Sequence, residues 1–284
     1  MLDIAKQTKE LCRLYDISPA RSKGQNFLIN SGIYEAIIKA ANLNKEDSIL
    51  EVGPGLGFLT ARLALKAKRV VAVELDDTLA SILSLAIDSQ NVTNVEIVNQ
   101  DILKLNPSDY FKNNESYQVV ANLPYNISSI FLRTFLSSIK PPKSLVLMLQ
   151  KEVAERCLRR EPDMSLLSLS LAYYGQVEII RTVKASDFWP APKVDSAILR
   201  FVNEKSSPNK EDLEQAKTFF RFARIGFSAK RKMLKNNLIA GLKCEASLID
   251  QSFKTAGIDL KSRAENLSLI NWLHLVAALS DFVL

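Results

Sequence analysis

Four successive residues, Asn122-Leu123-Pro124-Tyr125, have the chemistry to handle an amino group on a flat ring. The Asn122 amide oxygen and the Leu123 carbonyl, its direction fixed by Pro124, form two acceptors for the hydrogens of an exocyclic amine, and the Tyr125 ring offers a stacking face. Asn and Pro are also ordinary turn residues, so the same tetrapeptide reads as plain punctuation after a strand. The apolar run Tyr117-Gln118-Val119-Val120-Ala121 precedes it. A run of that length puts the tetrapeptide in a tight turn leaving the C-terminal end of a buried strand. An electrophile for such an amine must come from elsewhere in the chain.

The elements that would bring it there lie upstream. A strand, Ser48 to Val52, runs directly into Gly53-Pro54-Gly55-Leu56-Gly57 and then a helical stretch, Phe58 to Lys66. Strand, glycine turn and helix open a nucleotide-binding βαβ unit, in which glycine lets the backbone pass close beneath a ligand. Phe58 stands where a GxGxxG pattern would need its last glycine. That weakens a dinucleotide reading, because the third glycine serves packing around a pyrophosphate, and favours a nucleoside without phosphate. The strand Arg69 to Val73 ends in Glu74, suited to accept ribose hydroxyls, or equally a surface carboxylate. Val95 to Val98 leads to Asp101, within reach of an adenine amino group. Gly53, Glu74, Asp101 and Asn122 thus fall at successive strand ends, where open α/β sheets bind their ligands.

Around this frame the sequence predicts helices over Ile4–Tyr15, Ser31–Ala41, Ser128–Ser138 and Ser165–Tyr174, a strand over Leu145–Leu149, and strands near Val177–Val183 and Ala197–Val202. Residues 21–28 read as a loop packed onto a site. The segment Asp187 to Ser196 contains Phe188, Trp189, Pro190 and Pro192; it reads either as a rigid loop presenting rings or as a core-lining loop.

At 284 residues and 47% hydrophobic, the chain can bury a large domain and a smaller one. The cysteines at 12, 157 and 244 form no CxxC pair, which argues against zinc and disulfides and for a reducing cytoplasm. No metal is expected. The charged N-terminus and the lack of a long apolar run predict neither a signal peptide nor a membrane span. The polar stretch Lys205 to Lys210 marks a domain boundary, after which helices are expected over Glu211–Arg224, Lys230–Ala240, Glu245–Ala256 and Ser262–Leu279. His274, between leucines, reads as packing. Lys217 to Lys243 holds eight basic residues and no acidic one; such a block suggests a polyanion partner, the alternative being a solvated face. Arg221, Arg224, Lys230, Arg231, Lys232 and Lys235 are the candidate residues to meet it.

Taken together, Gly24-Gln25-Asn26-Phe27-Leu28, the glycine turn, Glu74, Asp101, Asn122-Leu123-Pro124-Tyr125, Phe188 to Ser196, Lys230 to Leu238 and Arg263 to Ser268 resemble the ribosomal RNA adenine N6-dimethyltransferases, in particular those of the small subunit. The likeness runs nearly end to end. It implies a Rossmann-like S-adenosylmethionine-dependent methyltransferase domain, 1–205, and a small all-α RNA-binding domain, 206–284, acting as a monomer on small-subunit (16S) RNA. Asn26, Leu28, Gly53, Gly55, Glu74, Asp101 and Asn122 would then hold the cofactor, with Asn122, Leu123, Pro124, Tyr125 and Phe188 at the target base. Lys23 replaces the Leu usual in that family, and Ala229-Lys230 replace part of a more arginine-rich run. Two alternatives stay open: an RNA-binding or transcription factor that kept the fold without catalysis, and a large-subunit RNA dimethyltransferase.

Overall fold

The computed structural model of the chain describes residues 3–19, 25–112, 115–124 and 127–283. In chain order its elements are α1 Ile4–Leu14, β1 Phe27–Leu28, α2 Ser31–Ala41, β2 Ser48–Val52, α3 Phe58–Ala64, β3 Arg69–Glu74, α4 Asp77–Ser89, β4 Val95–Asn99, α5 Pro107–Tyr110, β5 Tyr117–Asn122 and α6 Ser128–Leu136. They continue with β6 Ser144–Gln150, α7 Lys151–Cys157, α8 Leu166–Tyr174, β7 Gly175–Val183, β8 Phe188–Trp189, β9 Ser196–Asn203, α9 Lys210–Gly226, α10 Leu234–Leu242, α11 Ala246–Thr255 and α12 Leu269–Val283.

The chain divides into two compact units, residues 1–154 with 177–206, and residues 155–176 with 207–284. In the first, a seven-stranded sheet runs in the order β4-β3-β2-β5-β6-β9-β7. Strands β2 to β6 are parallel to their neighbours, and β9 runs antiparallel to β6. The central strands are apolar on both faces because helices cover both faces of a parallel sheet. Register does the positioning. With Val52 opposite Val73 and Ala121, the turns after β2, β3 and β5 emerge side by side at one edge. Helix starts are fixed locally, as where Asn30 caps α2 through Gly32 N–H at 2.9 Å and Asp76 caps α4 through the amides of Thr78 and Leu79, each satisfying an orphan donor of a first turn.

A separate two-stranded antiparallel sheet pairs Phe27 with Trp189 and Leu28 with Phe188. The segment read as a loop is therefore partly strand, tied to the aromatic and proline segment by backbone hydrogen bonds.

The second unit is helical. Its core includes the aromatic cluster Tyr173, Tyr174, Phe219 and Phe220, and Trp272, whose indole N–H donates to the Ala264 carbonyl at 3.3 Å. The Ser206/Ser207 division falls beside the boundary read from composition, but residues 155–176, placed by the sequence with the first domain, belong to the second unit. The reason is apolar complementarity: α8 is buried along most of its length and packs its tyrosines on α9. Two tail helices also begin later than expected. Lys230, Arg231 and Lys232 lie in the turn before α10, and a short 3₁₀ turn, Ala264–Asn266, precedes α12. His274 is exposed rather than packed. No helix among the described residues is long and apolar enough to cross a membrane.

Candidate active site

A cavity of about 340 Å³ opens at the carboxyl edge of the sheet, lined among others by Asn26, Leu28, Gly53, Gly55, Glu74, Asp101, Asn122 and Pro124. Gly53, Glu74 and Asn122 share one wall because β2 lies between β3 and β5, and Asn26 joins them from the separate β1–β8 sheet.

The glycine turn shapes the floor. Gly53 at φ +66° donates its N–H to the Val73 carbonyl at 2.9 Å, and a Cβ there would stand 3.7 Å from the Asn122 carbonyl oxygen. Gly55 at φ +56° leaves only 3.3 Å between a built Cβ and the Phe27 ring. Both positions need a left-handed backbone that other L residues adopt at a cost. The Gly55 N–H donates to Glu74 Oε2 at 3.1 Å, while Glu74 Oε1 accepts the Asp76 N–H at 3.0 Å. Burial raises the Glu74 pKa, and those two backbone donors oppose the shift. Asp101 is half-buried, and its Oδ1 accepts the Leu103 N–H at 3.0 Å.

Asn122 ends β5 half-buried, with Nδ2 donating to the Asn26 carbonyl at 3.5 Å. That contact turns the other end of the amide, Oδ1, into the available acceptor. Leu123 is buried at 1% exposure, its N–H donating to the Met148 carbonyl at 3.3 Å. Tyr125 lies outside the described residues. Phe188, expected to stack on the target base, is instead 3% exposed and sits in the apolar core with Leu28, Tyr34 and Val183. Its pairing with Leu28 holds the ring there, so the core-lining alternative describes it.

One lining residue escaped the sequence reading. Glu51, next to last in the apolar strand β2, is 1% exposed, and neither carboxylate oxygen has a hydrogen-bond partner. Burial pushes its pKa up to about 8; the nearby Thr60 hydroxyl lowers it without completing a hydrogen bond, and the Glu74 charge adds to the rise. Its signal in the sequence is a lone charge in Ser-Ile-Leu-Glu-Val, a violation of strand patterning of the kind that functional sites show.

On the helical unit, Arg221, Arg224, Lys230, Arg231 and Lys232 are exposed. Lys235 is half-buried and pairs with Asp250 at 3.3 Å, and Lys230 approaches Glu265 at 3.9 Å. The turn carrying Lys230 to Lys232 is held by buried Asn237, whose Nδ2 donates to the carbonyls of Gly226 and Ala229 at 2.6 and 3.2 Å.

The sequence pattern describing ribosomal RNA adenine dimethylases matches residues 19–281. The chain belongs to that family. It is 40% identical, over 94% of its length and 90% of the relative's, to the ribosomal RNA small subunit methyltransferase A of Dehalococcoides mccartyi. Among solved structures it is similar to a dimethyladenosine transferase from Plasmodium falciparum, at 28% identity and a TM-score of 0.73, covering 90% of this chain and 98% of that one. It also resembles the 23S rRNA methyltransferase ErmE, at 25% identity and a TM-score of 0.66, covering 90% and 100%.

The dimethylase is an S-adenosylmethionine-dependent methyltransferase on a Rossmann-like fold. Its cavity fits that donor: a glycine turn in which a Cβ at Gly55 would crowd the Phe27 ring, a carboxylate, Glu74, at the end of β3, and a buried orphan carboxyl, Glu51, in a site that must receive a cation. Among the described residues no group of His, Cys, Asp and Glu could hold a metal.

Proposed function

We propose that this dimethylase methylates N6 of adenosines in small-subunit (16S) ribosomal RNA twice, giving N6,N6-dimethyladenosine during small-subunit maturation, as a cytoplasmic monomer that needs no metal. The observation carrying the choice of substrate is the 40% identity, over nearly the whole chain, to a protein named for the small subunit.

S-adenosylmethionine supplies an electrophilic methyl group. The chain's own residues do the rest by positioning. Glu74 takes the ribose hydroxyls, Asp101 the adenine amino group, and Asn26, Leu28, Gly53, Gly55 and Asn122 line the remainder of the donor. The lone pair of adenine N6 is delocalised into its ring, so the amine must be turned before it can attack. Asn122 Oδ1 and the Leu123 carbonyl accept its hydrogens and turn it, with Pro124 setting the direction of that carbonyl. Tyr125, next in sequence, replaces the stacking the base loses on leaving its helix. Arg221, Arg224, Lys230, Arg231, Lys232 and Lys235 take RNA phosphates on the helical unit.

The likeness to a 23S rRNA methyltransferase over 90% of this chain favours a second reading, action on large-subunit RNA. Incubation with labelled S-adenosylmethionine and unmethylated small or large subunits separates them. Label in dimethyladenosine of small subunits alone is expected; label in large subunits alone would replace the first reading by the second.

A further inference from the structure

The cofactor wall and the aromatic segment are joined by more than the short sheet between β1 and β8. Immediately after β1, the Ile29 N–H donates to the Asp187 carbonyl at 2.8 Å, and the Asn30 Nδ2 donates to the Asp187 carboxylate at 2.8 Å. Each side chain also serves its own turn. Asn30 Oδ1 accepts the Gly32 N–H at 2.9 Å, capping α2, and Asp187 Oδ2 accepts the Lys184 N–H at 3.1 Å, closing the 3₁₀ turn Ala185–Asp187. A pair of two-residue strands has little stability of its own; the buried Tyr34 hydroxyl donates to the Leu28 carbonyl at 2.9 Å, and the side-chain clasp secures the end of the segment Asn26 to Leu28 where it leaves the cavity. The same segment offers the Asn26 carbonyl to Asn122.

We propose that Asn30 and Asp187 are a positioning pair, which holds the wall segment Asn26–Leu28 in register for the methyl donor and joins it to the segment 184–196. The inference rests on the reading of the cavity as the donor site. The clasp contains two turn N–H donors and one side-chain donor, satisfied by three side-chain oxygens, one on Asn30 and two on Asp187. Asn30→Asp keeps the helix cap, since Asp caps as well as Asn and its charge suits a helix N-terminus, but it sets two carboxylates against each other. Asp187→Asn has the opposite defect, leaving two side-chain oxygens for four donors, the two turn N–H groups and two side-chain amides. The double substitution Asn30→Asp with Asp187→Asn restores three oxygens and one side-chain donor, with the central hydrogen bond reversed. A pair that merely stabilised the fold would show the same exchange in its denaturation midpoint but would leave the donor affinity of the folded variants unchanged.

Calorimetric titration of the full chain with S-adenosylmethionine tests this directly. Each single variant is expected to bind at least tenfold more weakly and the double variant to return to within about threefold of the parent; in turnover the loss should sit in KM for the donor, with kcat retained at saturation. Glu74→Ala is measured alongside. Single variants of parental affinity beside a weakened Glu74→Ala would overturn the clasp while leaving the cavity reading intact, as would a double variant no better than the singles. Parental affinity in Glu74→Ala would overturn the cavity reading itself.

Discussion

At the scale of single residues the site is organised by two carboxylates in different circumstances. Glu74 meets backbone donors on both oxygens, whereas Glu51 meets none. In the role proposed for it, Glu74 makes two charge-assisted hydrogen bonds to ribose, worth about 1.5 to 3 kcal/mol each; calorimetry on Glu74→Ala should therefore show a fall in donor affinity of about a hundredfold or more. For Glu51 the sign follows from its pKa, raised from 4.5 to about 8. The folded state holds a proton there that the unfolded state releases, so its stabilising share is complete below 4.5 and is lost as pH rises through about 8. Denaturant titrations of the unliganded protein should show stability declining across that interval, and Glu51→Gln should flatten the decline. A cationic donor favours the ionised form, so binding at pH 7 should release protons in the parent and fewer in Glu51→Gln, read from titrations in buffers of different ionisation enthalpy. In the role proposed for it, Asn122 aims N6, and an acceptor so used matters most in the transition state; Asn122→Ala should leave RNA affinity nearly intact and cut single-turnover rates by about a hundredfold.

At the scale of elements, much is legible in the sequence because the signals are local. The glycine turn after an apolar run, and a carboxylate or amide at each later strand end, are enough to gather the cavity residues. Other parts are less so, for physical reasons. Helix α4 escapes the sequence reading although Asp76 is a good cap and Leu79, Ala80, Leu83 and Ile87 are spaced for one buried face; the cap stands only two residues beyond Glu74, and the strand end that Glu74 marks overshadows it. The two-residue pairing of β1 with β8 has no periodicity to detect. It also decides the fate of Phe188, whose type suits both stacking and packing and whose burial is set by a partner, Leu28, far away in the sequence. The start of α10 at Leu234 places Lys230 to Lys232 on a turn. Neutralising Arg231 and Lys232 should lower the slope of log affinity for subunit RNA against log salt by about 0.7 to 0.9 for each phosphate left without its cation. Filter binding across a salt series measures it, and donor affinity should not change.

For the molecule as a whole, the two units are interleaved in sequence: the chain leaves the first after Ala154, contributes α8 to the second, and returns for β7, β8 and β9. A fragment ending at Ser206 would therefore keep α8 but lose α9, leaving Tyr173 and Tyr174 without Phe219 and Phe220. Such a fragment should aggregate at concentrations where the full chain stays monodisperse, as light scattering would show, and replacing both tyrosines by serine should relieve it. Interleaving also orders events in time on the translating ribosome. Strand β7 emerges before β9, yet β9 lies between it and β6, so the sheet edge must wait for its inner neighbour. Helix α8 waits longer still, because the rest of its unit follows Ser206. At roughly 5 to 20 residues per second that interval is on the order of several seconds, during which a nascent enzyme holds an apolar helix in need of shelter.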